Sequence, residues 1–388
     1  MLILDKPYVS DFLLRTVENM KIPVLDYGHT VDVKKKKRLM LLTEDEFLNM
    51  AKAQNPLKLY CNSENSINWI IRNLPQTNIP KYIEFCKDKV MFRRMIKPLY
   101  PDFHFQEVDS ADIGCLDVTA LKKPFIIKPS VGFFSIGVYK VNSDDEWKEI
   151  EEHLRQDIRS AEGQYPDEVM NSSKFIIEEC IDGDEFAIDA YYNSSGKPVI
   201  LNILRHPFSS DSDVGDRIYY TSKKIILEYR EKFQAVLESI GNIAGFSNFP
   251  VHVEVRIDRD GCVTPIEFNP MRFAGWCVTD LAYYAYGINV YDCFLNDKEP
   301  EWSEILTEKD DKAYSLVLID IPKGFNPEKI KSFDYDAVSA RFSKVLELRK
   351  INFLNYPVFA FMFIEVPVCS NELDMALKMD FSQFISTK

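Results

Sequence analysis

Glu254, Glu267 and Asn269 are the residues of this chain whose types and spacing point most directly to chemistry. They lie in FPVHVEVRIDRDGCVTPIEFNP (249–270), which reads as a β-hairpin. Asp260-Gly261 is a two-residue turn signal between two alternating segments. Closing the turn there pairs Arg259 with Cys262. Counting back sets Glu254 opposite Glu267 and His252 opposite Asn269. Val251, Val253, Val255 and Ile257 share the apolar face with Ile266 and Phe268, while His252, Glu254 and Arg256 share the other with Glu267 and Asn269. Directly opposed carboxylates repel unless a cation lies between them. Two carboxylates and an amide oxygen form a hard-oxygen set suited to Mg²⁺, with coordination sites left for phosphate oxygens. A solvated hairpin face with incidental charges is the competing reading. Pro265 inside the second strand requires an edge position or a bulge.

Two further segments carry weaker signals. In KPFIIKPSVGFFSIGV (123–138), Lys128 ends an apolar strand and precedes a loop holding Ser130, Gly132, Ser135 and Gly137. Such a loop can aim backbone N–H groups at phosphate oxygens while the lysine supplies a point charge. It has neither the GxxxxGK[ST] order nor GxGxxG, and a glycine-punctuated hairpin is the alternative. Phe133 and Phe134 read as an apolar lid or as core. FIIEECIDGDEF (175–186) is a strand ending in two acids, an Asp-Gly turn and a further glutamate; alone it reads as a surface hairpin.

The elements that position these groups follow from the rest of the chain. Its 388 residues imply two or three domains, and 46% hydrophobic with 28% charged residues is the composition of a soluble globular protein. A net charge of −13 argues against nucleic-acid binding. The basic run KKKKR (34–38) reads as a solvated loop. Eight cysteines without a CxxC pair fit reduced thiols in a cytoplasmic protein. The N-terminus lacks the pattern of a signal peptide, and the longest apolar stretch, Val358–Ile364, is far too short to span a membrane. Strand-like Leu2–Leu4, Ile22–Leu25, Leu39–Leu42 and Leu57–Tyr60 alternate with helical stretches, predicting a small open α/β sheet. A helix is expected around Asp88–Leu99. Strands follow at 122–128, 138–141, 174–179, 185–192 and 198–205. Helices are expected at Ser143–Arg159, with Ser143 as its cap, and at Ser222–Ala244.

In order and spacing, these pieces resemble the ATP-grasp superfamily of ligases over about Lys89 to Gly287, with PIEFNP (265–270) and the acid thirteen residues before Glu267 as the most specific mark. The resemblance implies an α/β (α+β) fold: a pre-ATP-grasp α/β domain (1–88), a two-lobed ATP-grasp core (89–296, with a mobile small lobe near 120–180) and a C-terminal α/β extension (297–388). It implies ATP and two Mg²⁺ ions, with Mn²⁺ as a substitute, held by Glu254, Glu267 and Asn269. Lys89 and Lys128 become the phosphate lysines, with Ser130, Gly132, Ser135 and Gly137 as the mobile loop. Glu178, Glu179, Cys180 and Ile181 become the adenine-binding segment, Glu185 the ribose acid, and Phe268 a further nucleotide contact.

The implied reaction activates a carboxylate as an acyl-phosphate, releases ADP and phosphate, and joins the acid to an amine, with an amino acid or peptide-like acid as substrate. Lys128 and Arg272 are the catalytic cations. Arg205, Arg217, Tyr220, His252, Arg256 and Trp276 are candidate substrate contacts, as is His206. Two departures concern the substrate end: Arg272 falls three residues after Asn269 rather than two, and His252 stands where several relatives carry arginine. A kinase on the same scaffold and a catalytically inactive nucleotide sensor are the alternatives. Small-molecule substrates, a homodimer, and neither nucleic acid nor membrane complete the expected partners.

Overall fold

The computed structural model describes residues 1–26, 38–132, 137–161, 171–210 and 215–388. Phe133, Phe134, Ser135 and all of the basic run but Arg38 therefore lie outside the described residues.

Strands β1 (Leu2–Ile3), β2 (Pro23–Leu25), β3 (Met40–Leu42) and β4 (Tyr60–Cys61) form a parallel sheet in the order β3-β2-β1-β4. The helix Asp11–Met20 starts where the Ser10 side chain accepts the Leu13 N–H, and buries Phe12, Leu13, Leu14 and Val17. Thr43 and Glu46 form a reciprocal capping box at the start of helix Glu44–Ala53. The β-then-α texture of the first hundred residues is thus an open α/β sheet.

A second sheet is antiparallel. Strands β5 (Phe105–Asp109), β6 (Phe125–Val131), β7 (Tyr139–Val141) and β8 (Asn171–Glu179) lie in the order β5-β8-β6-β7. Phe125, Ile127, Val141, Phe175 and Ile177 pack with Leu154 of helix Trp147–Ala161 into a separate small core. That helix begins four residues later than its sequence suggests. Ser143 does not cap it: an Asp144-to-Trp147 backbone turn (3.2 Å) comes first, and the Glu146 carboxylate accepts the Asn142 N–H (3.0 Å).

The large sheet contains β9 (Asp184–Tyr192), β10 (Pro198–His206), β11 (Ile218–Ser222), β12 (Phe249–Ile257), β13 (Val263–Pro270) and β14 (Lys312–Asp320). Of the later strands, β15 (Ile330–Phe333) pairs with β18 (Ile385–Thr387), while β16 (Val345–Lys350) and β17 (Val358–Pro367) complete the large sheet. Its order is β13-β12-β9-β10-β11-β14-β17-β16. Strands beyond residue 297 therefore continue the sheet that holds the acidic hairpin. Helix Lys223–Ala244, capped by Ser222, buries Phe233, Leu237 and Ile240. Among the described residues no helix is long and apolar enough to cross a membrane.

The acidic hairpin reaches its expected pairing by an unexpected route. The Asp258 N–H donates to the Cys262 carbonyl (3.1 Å) and the Gly261 N–H to the Asp258 carbonyl (3.0 Å), with Gly261 at φ 80°. The loop thus has three residues, and Asp258 rather than Arg259 pairs with Cys262. This puts the strands one residue out of step, as Val255↔Pro265 and Ile257↔Val263 show. A bulge between Glu254 and Val255 restores the step, giving Glu254↔Glu267 and His252↔Asn269. Pro265 stands beside that bulge on the edge strand, where its missing N–H costs no ladder bond.

Candidate functional site

Glu254 and Glu267 face each other across the hairpin, both half-buried, and their environments drive their pKa values apart. Burial and the neighbouring Glu267 charge push the Glu254 carboxyl well above its usual range. Burial pushes Glu267 the same way, but Lys89 and Lys87 outweigh it and hold Glu267 below the usual range. Lys89 Nζ lies 3.1 Å from Glu267 Oε1 and 3.4 Å from the Gly132 carbonyl. Lys89 opens the helix Lys89–Ile96, where Asp88 accepts the Val90 and Met91 N–H groups. The Asn269 amide donates to Glu254 Oε1 (3.4 Å). His252 contributes Nε2 at 3.7 Å from the same oxygen, and its Nδ1 lies 2.9 Å from Asp189, which also accepts the Ala274 N–H. Among the described residues no three His, Cys, Asp or Glu side chains converge as a metal cage. Two opposed carboxylates and an amide still fit a divalent cation, because it would relieve the repulsion between Glu254 and Glu267.

Lys128 is buried on β6 and pairs with Glu178 Oε1. Arg93 holds the other oxygen, Oε2, at 2.8 Å. Burial lowers the Lys128 pKa, Glu178 opposes that, and Lys89 with Arg93 add to it. Burial would raise the Glu178 carboxyl, yet Arg93 and Lys128 hold it down at about 2. The Glu178 side chain is thus committed to two cations. Ser130 is buried on β6; Gly132 and Gly137 flank the undescribed 133–136.

From the end of β8 the chain crosses to the large sheet. The Glu179 N–H donates to His104 (3.0 Å) and the Cys180 N–H to Pro124 (3.4 Å). The Ile181 carbonyl accepts from Arg256 (2.7 Å), and Arg256 also donates from Nε to Glu185 (3.1 Å). His206 Nδ1 lies 3.0 Å from the other Glu185 oxygen. Burial raises the Glu185 carboxyl, but His206 and Arg256 outweigh it and leave it below the usual range. Gly183, at φ 111°, lets this crossing lie against the end of β12: a Cβ there would sit 1.9 Å from the Ile257 carbonyl oxygen. Phe268 is buried against Phe92, with ring centroids 5.1 Å apart, on the apolar face of the hairpin.

The candidate substrate residues scatter. Arg272 lies near the hairpin, but Glu64 takes its Nε (3.0 Å) and Nη2 (2.8 Å), and the Phe273 carbonyl takes Nη1 (3.1 Å). Glu64 also pairs with Lys87 (2.5 Å); burial raises its pKa, and Lys87 with Arg272 overcome that and hold it at about 2. The N-terminal sheet thus grips this loop, and the Cys61 N–H adds a bond to the Met271 carbonyl (2.9 Å). Trp276 packs with Tyr8, Tyr356 and Phe361. Arg205 pairs with Asp184 (2.7 Å) and stands opposite Tyr220 in the β10–β11 register. Arg217 is occupied by the C-terminal segment: the Met379 carbonyl (2.8 Å), Asp320 (3.0 Å) and the Phe381 ring (4.6 Å). Sequence reasoning missed Glu64, Lys87, Asp189 and Arg93. Only Arg93 left a trace, one helical turn beyond Lys89.

Residues 121–280 match a family model described as an ATP-grasp domain. Among the curated proteins no sequence is similar to this one. Solved structures are similar in fold. L-amino acid ligase from Bacillus licheniformis aligns with TM-score 0.70 at 19% identity, covering 100% of this chain and 98% of that one. N5-carboxyaminoimidazole ribonucleotide synthetase from Thermotoga maritima aligns with TM-score 0.65 at 12% identity, covering 99% and 98%. The biotin carboxylase domain dimer of 2-oxoglutarate carboxylase from Hydrogenobacter thermophilus, in complex with MgADP, ADP and bicarbonate, aligns with TM-score 0.63 at 13% identity, covering 100% and 90%.

Proposed function

Since this chain carries an ATP-grasp domain and the fold of that ligase superfamily, we propose that it is an ADP-forming ligase. It activates a carboxylate as an acyl-phosphate and joins it to an amine, with an amino acid or peptide-like acid as substrate. The observation that carries this reading is the Glu254–Glu267 pair, with Asn269 alongside and Lys89 3.1 Å from Glu267.

Glu254, Glu267 and Asn269 would hold Mg²⁺ ions, which supply charge neutralisation at the ATP phosphate oxygens. The MgADP complex of the Hydrogenobacter relative supports that choice of ion. In the first step a substrate carboxylate oxygen attacks the γ-phosphorus, the bond to the β–γ bridging oxygen breaks, and ADP leaves. Lys89 and Lys128 stabilise the charge spread over the transferring group, a role that needs placement rather than covalent participation. The amine nitrogen then attacks the acyl carbon, phosphate leaves, and the nitrogen loses a proton. In this reading Glu185 takes the ribose, and Glu179 with Ile181 takes the adenine. Trp276, with Tyr8 and Phe361, offers an apolar wall near Arg272. These residues are small-molecule contacts, in line with a chain of net charge −13.

The commitment of all three Arg272 nitrogens to Glu64 and Phe273 favours one second reading. With Arg272 engaged in this way rather than free to hold an acyl-phosphate, a kinase that releases a phosphorylated product is the alternative.

The test is product analysis with ATP, Mg²⁺ and pools of amino acids and small acids. ADP, free phosphate and a new mass equal to acid plus amine minus water are expected. ADP with a stable phosphorylated product would favour the kinase, and no pool-dependent turnover would contradict both.

A further inference from the structure

Arg93 holds Glu178 in the site described above, and its second acceptor lies on a different strand. It lies one turn after Lys89 on the helix Lys89–Ile96, so both side chains leave the same helix face. Its side chain is 2% exposed, and its guanidinium touches two separate parts of the molecule. Nε donates to Glu178 Oε2 at 2.8 Å, and Nη1 donates to the Pro265 carbonyl at 2.8 Å. The Phe103 ring lies 4.3 Å from the guanidinium carbon, and Nη2 is buried without a hydrogen-bond partner among the described residues.

Both acceptors belong to the proposed nucleotide site. Glu178 ends β8 of the small sheet and holds Lys128 through its other oxygen. Pro265 stands beside the bulge that brings Glu267 opposite Glu254. A buried guanidinium with an unpaired N–H is a poor choice for stability alone, since an apolar side chain would avoid that unmet donor. A lysine would reach either acceptor as a point charge, whereas the planar fork of arginine spans both.

We propose that Arg93 is a positioning residue that ties Lys128 to the metal-ligand strand, so that the phosphate lysine and Glu267 are set together. The inference rests on the ATP-grasp reading of Lys128 and Glu267. Glu178 fixes the Lys128 ammonium only while Arg93 fixes Glu178. The bulge keeps Glu267 in register only while the Pro265 carbonyl has its donor.

The test uses full-length Arg93→Lys and Arg93→Met proteins. ATP affinity is measured across a Mg²⁺ titration, with the thermal midpoint recorded in the absence of nucleotide. Outer residues that orient ligands change affinity by about 10–100-fold when removed. We expect a loss of that order in MgATP affinity in both variants, together with a higher Mg²⁺ requirement that Arg93→Lys does not rescue. Arg93→Lys keeps the charge and the stem, so it carries the test if Arg93→Met does not fold. Folded variants with unchanged ATP affinity and Mg²⁺ requirement would reduce Arg93 to a structural residue and overturn the inference. Wild-type protein that does not bind MgATP would instead overturn the ligase reading, and this inference with it.

Discussion

Glu254→Gln and Glu267→Gln should move the stability of the metal-free protein in opposite directions, although they change the same group on opposed residues. Side chains directly across an antiparallel pair are roughly 5 Å apart. Two full charges at that separation in a medium of effective dielectric near 20 repel by about 3 kcal/mol. Burial and the Glu267 charge accordingly push the Glu254 carboxyl well above its usual range. A group whose folded pKa is raised favours the folded state while protonated, and that benefit fades as pH climbs above its unfolded value. Glu254→Gln therefore stabilises increasingly as pH rises past the ordinary carboxylate range, by no more than the roughly 3 kcal/mol of repulsion it removes. Glu267 is the reverse case. Its pKa is depressed because Lys89 and Lys87 outweigh burial. Replacing it leaves the ammonium of Lys89 without its partner at 3.1 Å, at a cost of about 1–3 kcal/mol. Urea midpoints in EDTA at pH 7.5 measure both effects. Midpoints that shift the same way would refute the asymmetry deduced for the pair. Both variants should also lose Mg²⁺-dependent ATP turnover.

Other consequences follow from single residues. Glu178 and Glu64 are each held at about 2 against an ordinary 4.5. Their stabilisation, on the order of 3 kcal/mol each, is complete above pH 4.5 and is lost as pH falls towards 2. Denaturation midpoints from pH 5 to pH 3 should fall steeply, and less steeply in Glu64→Gln. Gly183→Ala sets a Cβ 1.9 Å from the Ile257 carbonyl oxygen at φ 111°. It should destabilise by about 2–3 kcal/mol and raise the KM for ATP, as thermal melts and kinetics would show. Arg217→Ala should lower the melting temperature while leaving kcat/KM within twofold, because its partners are Met379, Asp320 and Phe381. A large loss of kcat/KM would return Arg217 to the substrate site.

Local signals made much of this fold legible. The helices expected around Asp88–Leu99 and at Ser222–Ala244 form, capped by Asp88 and Ser222. The opposition of Glu254 and Glu267 is legible too, because two departures cancel: the turn has one more residue than Asp260-Gly261 implies, and the bulge beside Pro265 takes one back. Pro265 announced a bulge or an edge without saying where the register would change. β5 was not foreseen, and its burial pattern, with only Val108 fully buried, shows why. Long-range partnerships left no trace. Glu64 and Arg272 are 208 residues apart, and no local period links the end of β4 to the loop after the hairpin. For the same reason Arg205 and Arg217 read as free cations, since Asp184 is distant from Arg205 in sequence and Met379 from Arg217.

The measurement that tests the account most directly follows oxygen from the acid into phosphate. Once the pools identify a substrate, its carboxylate is labelled with ¹⁸O and turned over with ATP, Mg²⁺ and the amine. Attack of the carboxylate on the γ-phosphate predicts that one labelled oxygen per turnover appears in free phosphate, with the other retained in the amide product. Unlabelled phosphate would contradict the acyl-phosphate and with it the role proposed for Lys89, Lys128, Glu254 and Glu267.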